Sequence, residues 1–370
     1  MLRTLVLLAC LAGPAAAGTL RVAAWDVGLA RGGAGVLLGE LAKPPSPQIA
    51  AVAAVLQSVR PDVVLLSGVD DDHQGMALAA LATMLAAGPD GIAYPHRFRA
   101  AVNAGEPSGF DLDGNGKRTD WADGWGWGRF PGNGGMALLS RLPIDAAAAH
   151  TFRLLRWHDL PGALLPTRAD GTPYPDAASA AELRLSSRSH WDVPVTLPGG
   201  GTLHLLASAP TPPLFDGAEG FNRRRNHDEI GFWTAWLGGA VFPDDGGQPA
   251  SAPARDFVVL GNLNADPADG AGLRDGIAGL IASPRLQDPR PTSDGGRAAA
   301  SPGHAGAPEL DTADWDEAGP GNLRVDYVLP SSDLAVAGAG VFWPAPGAPL
   351  AEAVAAASPH RLVWVDLSLP

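Results

Sequence analysis

Asn262 and Asn264 stand two residues apart at the end of an apolar run, residues 257–260, closed by Gly261. Alternate residues of an extended segment share a face, so both amides can enter one pocket at the strand's end. Such endings are a common place for chemistry in layered α/β proteins; an Asn/Asp-rich turn is the plainer alternative. Two other stretches are rich in carboxylates. Asp70, Asp71 and Asp72 follow the apolar run 63–66 and are either cation ligands or turn formers. Asp111, Asp113 and Asn115 lie in D-x-D-G-N-G, the oxygen spacing of the first half of a calcium loop around a glycine turn. The distal bidentate Glu of such a loop is missing, and a simple Asp/Gly turn is the alternative.

Strands and helices must position these groups. Residues 19–25 read as a core strand ending at Asp26, and 48–59 as an amphipathic helix stopped by Arg60-Pro61-Asp62. A strand at 63–66 and a helix at 76–87 follow, then a strand at 135–140. Residues 189–195 and 202–208 form a hairpin across Pro198-Gly199-Gly200-Gly201. A helix from about His227 to Leu237 comes after a loop carrying Arg223, Arg224 and Arg225, read as a solvated helix start or an anion clamp. Beyond the central strand come a helix near 271–282, a strand at 323–329, and a final strand that begins after His360. Trp121, Trp125 and Trp127 read as a cover over the fold or a ligand-stacking surface. Strands run through both halves without a clean linker, so residues 18–370 read as one domain.

Residues 1–17 have the pattern of an export signal: Arg3, an apolar run from Leu5 to Ala12, and Ala15-Ala16-Ala17 as a cleavage site. No apolar run is long enough to span a bilayer. Cys10 is the single cysteine, so the exported chain has no disulfide and no thiolate ligand. The periplasm or the exterior is the expected address, with lipidation at Cys10 the less favoured alternative. A formal charge of −13 argues against broad electrostatic binding of nucleic acid, which needs clustered Lys and Arg. Small anionic ligands, and divalent cations at the acidic surface, stay open.

The ordered set of strand ends resembles the endonuclease/exonuclease/phosphatase superfamily, the DNase-I-like fold. Its carriers are RVAAWDVG, RPDVVLLSGVD, GGMALLSRLPI, HLLASAPTPP, NHDEI, FVVLGNLNADP, LRVDYVLPS and SPHRLVWVDL, in the family's order. The resemblance implies an α/β (α+β) fold, a four-layer α/β/β/α sandwich of two mixed sheets packed face to face and flanked by helices. It also implies hydrolysis of phosphodiester or phosphomonoester bonds with a divalent metal, Mg²⁺ or Mn²⁺, that offsets phosphoryl charge. On that basis His360, Asn264, Asn262 and Asp326 are the catalytic candidates, and Tyr327 and Arg324 the substrate-binding ones. Asp26, Asp70 and Asp326 are the metal candidates, with calcium a further possibility at Asp111, Asp113 and Asn115. The implied partner is a small phosphate ester or a nucleic acid fragment.

The departures from the family pattern are specific. Asp26 stands where the family has Asn, and the metal-binding Glu falls on Gly68. The His of the S-x-H element falls on Ala209, and the catalytic Asp of G-D-x-N falls on Asn262, which is no base near neutral pH. Pro359 replaces the Asp before His360, so the imidazole is expected to lose its orienting carboxylate. Loss of a base alone costs roughly 10²–10⁴ in rate. Three readings follow: a phosphoesterase with a rebuilt metal site, a silent relative that keeps the fold for binding, and an envelope interaction protein. The substitutions favour the silent relative.

Overall fold

A computed structural model describes residues 18–72 and 74–369. The proposed export signal lies outside the described residues. The strands are β1 (Thr19–Leu29), β2 (Val63–Val69), β3 (His96–Phe98), β4 (Gly135–Ser140), β5 (His150–Thr151), β6 (His190–Thr196) and β7 (Thr202–Ser208). A two-strand ribbon, β8 (Phe242–Pro243) with β9 (Pro249–Ala250), precedes β10 (Phe257–Asn262), β11 (Asp326–Pro330), β12 (Val336–Phe342) and β13 (Leu362–Ser368). The helices are α1 (Val36–Leu41), α2 (Pro47–Val59), α3 (Met76–Leu85), α4 (Ala177–Glu182), α5 (Phe221–Leu237), α6 (Arg274–Ile281), α7 (Asp294–Ala298) and α8 (Ala351–Ala357).

Two mixed sheets form the centre. One has the order β12-β13-β1-β2-β4-β3, the other β11-β10-β7-β6-β5. β1 runs parallel to β2, and β7 parallel to β10, while β13 and β11 close the same regions antiparallel. The period-2 alternation of each strand assigns its layers. Val22 and Ala24 of β1 meet Val258 and Leu260 of β10 in the core between the sheets. Ala23 and Trp25 face outward onto α2, α3 and α8. Leu206, Val259 and Tyr327 face outward onto Ile230, Trp233 and Ile277 of α5 and α6. The result is the α/β/β/α sandwich that the strand order implies. Among the described residues no helix is long and apolar enough to cross a membrane.

Helix α5 begins at Phe221, six residues before the sequence-based expectation, after Gly220 in the left-handed region. It therefore takes in all three arginines: Arg223 is exposed in the first turn, as a solvated helix start would have it, while Arg225 is buried. Arg223 pairs with Asp216, and Arg224 donates to the Glu219 carbonyl. Arg225 is buried, donating to the carbonyls of Leu185, Trp125, Arg184 and Ser186. Glu229, one turn on, accepts from the amide and hydroxyl of Ser187 and from the Thr211 amide. The imidazole of His190 bridges the Ser186 hydroxyl and the Glu229 carbonyl. This polar seam fastens α5 to the segment that leads into β6.

Candidate functional site

The alternation that packs the core also builds the site. Asp26 continues the inward column of Val22 and Ala24, Asn262 that of Val258 and Leu260, and Asp326 the face of Val328. Where the apolar columns end, the two sheets meet through polar groups instead. Asn262 Nδ2 donates to Asp26 Oδ2 at 3.2 Å across the sheets, and the paired register sets Asn262 beside Asp326. Ser67 Oγ donates to the same Asp26 oxygen at 3.2 Å, and the Gly28 amide to Oδ1 at 3.2 Å. Burial pushes the Asp26 carboxyl up, but the charges of His360 and Arg188 together with these donors hold it below its usual value.

His360 precedes β13 in one sheet, and Asp326 opens β11 in the other. Their side chains meet with Nδ1 at 2.9 Å from Oδ2. The expectation that His360 lacks an orienting carboxylate is therefore corrected: Pro359 offers none, but Asp326 takes the role from a distant strand. Thr312 Oγ1 donates to Asp326 Oδ2 at 3.0 Å while accepting the amides of Val325 and Asp326 at 2.9 Å. The indole of Trp315 meets the imidazole edge-on at 5.1 Å. Burial lowers the His360 pKa, yet Asp326 and Asp26 outweigh it and the net direction is up, toward imidazolium. Burial pushes Asp326 up against the pull of His360, and its Oδ1 is buried without a hydrogen-bond partner.

The other expected site residues are engaged elsewhere. Asn264 does not share the pocket face of Asn262. It sits past the strand at φ 52°, a left-handed turn that Asn tolerates. Its amide nitrogen donates to the Pro210 carbonyl at 2.8 Å, and its backbone amide to Asn262 Oδ1 at 3.0 Å. Arg324 turns inward to a two-pronged pair with Asp288 at 2.6 and 2.8 Å, stacked on Tyr327. The Tyr327 hydroxyl lies 2.8 Å from the carbonyls of Ala265 and Arg324. Both side chains are internal braces in this arrangement.

Asp70 does not join Asp26 and Asp326. Its carboxylate accepts from the Arg31 amide, the Asn133 side chain and the Gly134 amide, at 2.8, 2.8 and 2.9 Å. Asp71 pairs with Arg99, and Asp72 caps α3 by accepting from Gln74, Met76 and Ala77. A loop after a parallel strand has many unpaired amides, and short acids satisfy them.

Among the described residues, one group of three acids brings ligand atoms within 4.8 Å of one another, and it is Asp111, Asp113 and Asp123. This cluster could coordinate a divalent cation. Asp123 was not foreseen; a capping box with Asp120 brings it back to the loop. Asn115, the expected third ligand, points its amide nitrogen at the acids instead, donating to Asp113 and Asp120. Trp125 packs on Phe110 and under Arg184, while Trp121 and Trp127 are exposed.

Sequence reasoning missed Arg188. Its guanidinium donates to the carbonyls of Gly134 (2.6 Å) and Ala209 (3.1 Å), so a cation reaches the backbone at Ala209, where the resemblance implied a His. The signal was the S-R-S-H run ahead of β6, overshadowed by His190.

A hard cation needs several oxygen ligands at about 2.0–2.6 Å. The cleft residues do not fit one. Asp26 already accepts three donors, Gly68 supplies no ligand, and Asp326 Oδ2 is held by His360 and Thr312, so Asp326 Oδ1 is the one carboxylate oxygen of the two acids left unengaged, too few for a hard cation. Two surface hollows, about 390 Å³ beside Trp343 and about 360 Å³ beside Asp111 and Asp176, are lined by none of the cleft residues.

The sequence pattern of the endonuclease/exonuclease/phosphatase family matches residues 31–360, and the chain belongs to that family. A solved endonuclease/exonuclease/phosphatase from Beutenbergia cavernae DSM 12333 is similar over 95% of this chain and 72% of its own, at 21% identity and a TM-score of 0.55. A family protein from Leptotrichia buccalis C-1013-b is 14% identical, covering 94% of this chain and 99% of its own, with a TM-score of 0.49. Sphingomyelinase C from Streptomyces griseocarneus is 14% identical, covering 95% and 100%, with a TM-score of 0.47. No curated protein matches the chain.

Proposed function

We propose that this protein is an exported family member that recognises a phosphate ester at the Asp26–His360 cleft and hydrolyses it slowly or not at all. One observation carries the reading: the position of the family's base is an amide, Asn262, already donating to Asp26. An amide cannot take a proton from water near neutral pH, while the imidazolium of His360, aimed by Asp326, is retained as a donor to an anionic ligand. Residues 1–17 support the export part; the N-terminus of the protein recovered from cell fractions is expected at Gly18.

The test is hydrolysis of a generic phosphodiester with Mg²⁺, Mn²⁺ and Ca²⁺, beside Asp326→Ala at a temperature where both are folded. Turnover no greater than that of the variant is expected. Metal-dependent turnover lost in the variant would replace this reading with an active phosphoesterase.

A further inference from the structure

We infer that the cleft balances its carboxylates with protein cations, Arg188 and His360, and excludes the divalent metal. The inference shares the cleft with the function proposed above but needs no phosphate ester, so the two fail separately.

Gly68 lies at φ 64°, at a break in the register of β2 with β4. A Cβ built there overlaps Oδ1 of Asp26, far inside van der Waals contact. The Asp26 carboxylate thus occupies the volume that a liganding side chain at position 68 would need. In this arrangement the Asp26 side chain and a side chain at position 68 exclude each other. Asn262 completes it. A carboxylate there would bring two like charges to hydrogen-bond distance, which demands a cation or a shared proton. The amide turns that repulsion into the 3.2 Å bond seen here. What remains is Asp26 and Asp326 against Arg188 and His360, two negative groups and two positive.

The experiment is a Mn²⁺ titration of the protein with ¹⁵N-labelled histidines, following paramagnetic broadening of the His360 ring signals. In protein carrying Asp111→Asn and Asp113→Asn, which removes the loop acids, His360 is expected to stay sharp up to about 1 mM Mn²⁺, the weak end of protein sites for hard cations. With Asn262→Asp added, the His360 signals are expected to be lost on titration and recovered with excess Mg²⁺. Saturable broadening of His360 without Asn262→Asp overturns the inference by itself, even if the Asn262→Asp variant fails to fold. A folded Asn262→Asp protein whose His360 also stays sharp overturns the assigned cause.

Discussion

Two buried polar clusters flank the five-stranded sheet, one in the cleft on its inner face and one in the seam beneath α5 on its outer face. Both contain an acid, an arginine and a histidine, yet their electrostatics run in opposite directions. In the seam, burial pushes His190 down to about 4, and only the Glu229 carbonyl opposes it, so this imidazole is neutral. In the cleft, two carboxylates outweigh burial and His360 is raised. Arg225 is held by backbone carbonyls and Glu229 by three donors, whereas Asp326 keeps a buried oxygen with no partner. The seam meets the charges of Arg225 and Glu229 with donors and acceptors that are mostly backbone. The cleft holds its charge on side chains and leaves an acceptor open, which is a costly arrangement in the absence of a ligand.

The seam should therefore be the more sensitive to truncation. Glu229→Ala leaves the buried Arg225 guanidinium without its nearest counter-charge and strands the donors of Ser187 and Thr211. Each buried donor left unsatisfied costs about 1–3 kcal/mol. Urea unfolding should show a loss in that range with an unchanged denaturant slope. A loss below about 1 kcal/mol, the value of an exposed pair, would mean that the seam is not what holds α5.

The pH dependence separates the two histidines. His190 titrates lower in the folded chain than in the unfolded one, so its contribution is complete above pH 6.5 and declines as pH falls toward about 4. A shift of this size corresponds to roughly 3 kcal/mol. His360 has the opposite sign: its contribution is complete below 6.5 and is lost as pH rises through its raised folded pKa. Stability curves of His190→Gln and His360→Gln against the wild type should differ in this way, the first flattening the acid limb and the second the neutral-to-alkaline limb. Matching curves would erase the distinction drawn between the clusters.

The sequence made the scaffold legible because apolar alternation on β1, β2, β7 and β10 is a local property. The order of the motifs also located Asp26, Asn262, Asp326 and His360, since each falls within a stretch that resembles the family pattern. The partnerships were not legible. Asp326 and His360 belong to different sheets, so Pro359 alone suggested a missing acid. Asp70 and Arg324 looked like site residues because their neighbours match a motif, but the amides of a distant loop and Asp288 claim them. Arg188 became visible only once the segment before β6 was placed against Ala209.

The smallest expected effect tests the cleft side of the comparison. Gly68→Ala adds one methyl group at a left-handed position, for which a non-glycine residue costs of order 1–3 kcal/mol in backbone strain. It also forces the Asp26 carboxylate away from its three donors. The two costs can be separated in a double-mutant cycle with Asp26→Ala. Backbone strain survives removal of the Asp26 side chain, but the collision does not. Gly68→Ala should therefore destabilise the wild type more than it destabilises Asp26→Ala, by about 0.5–3 kcal/mol, the range for residues in contact. Equal costs in the two backgrounds would mean that Gly68 serves only the turn of β2. The acid at 26 and the glycine at 68 would then be independent departures from the family pattern.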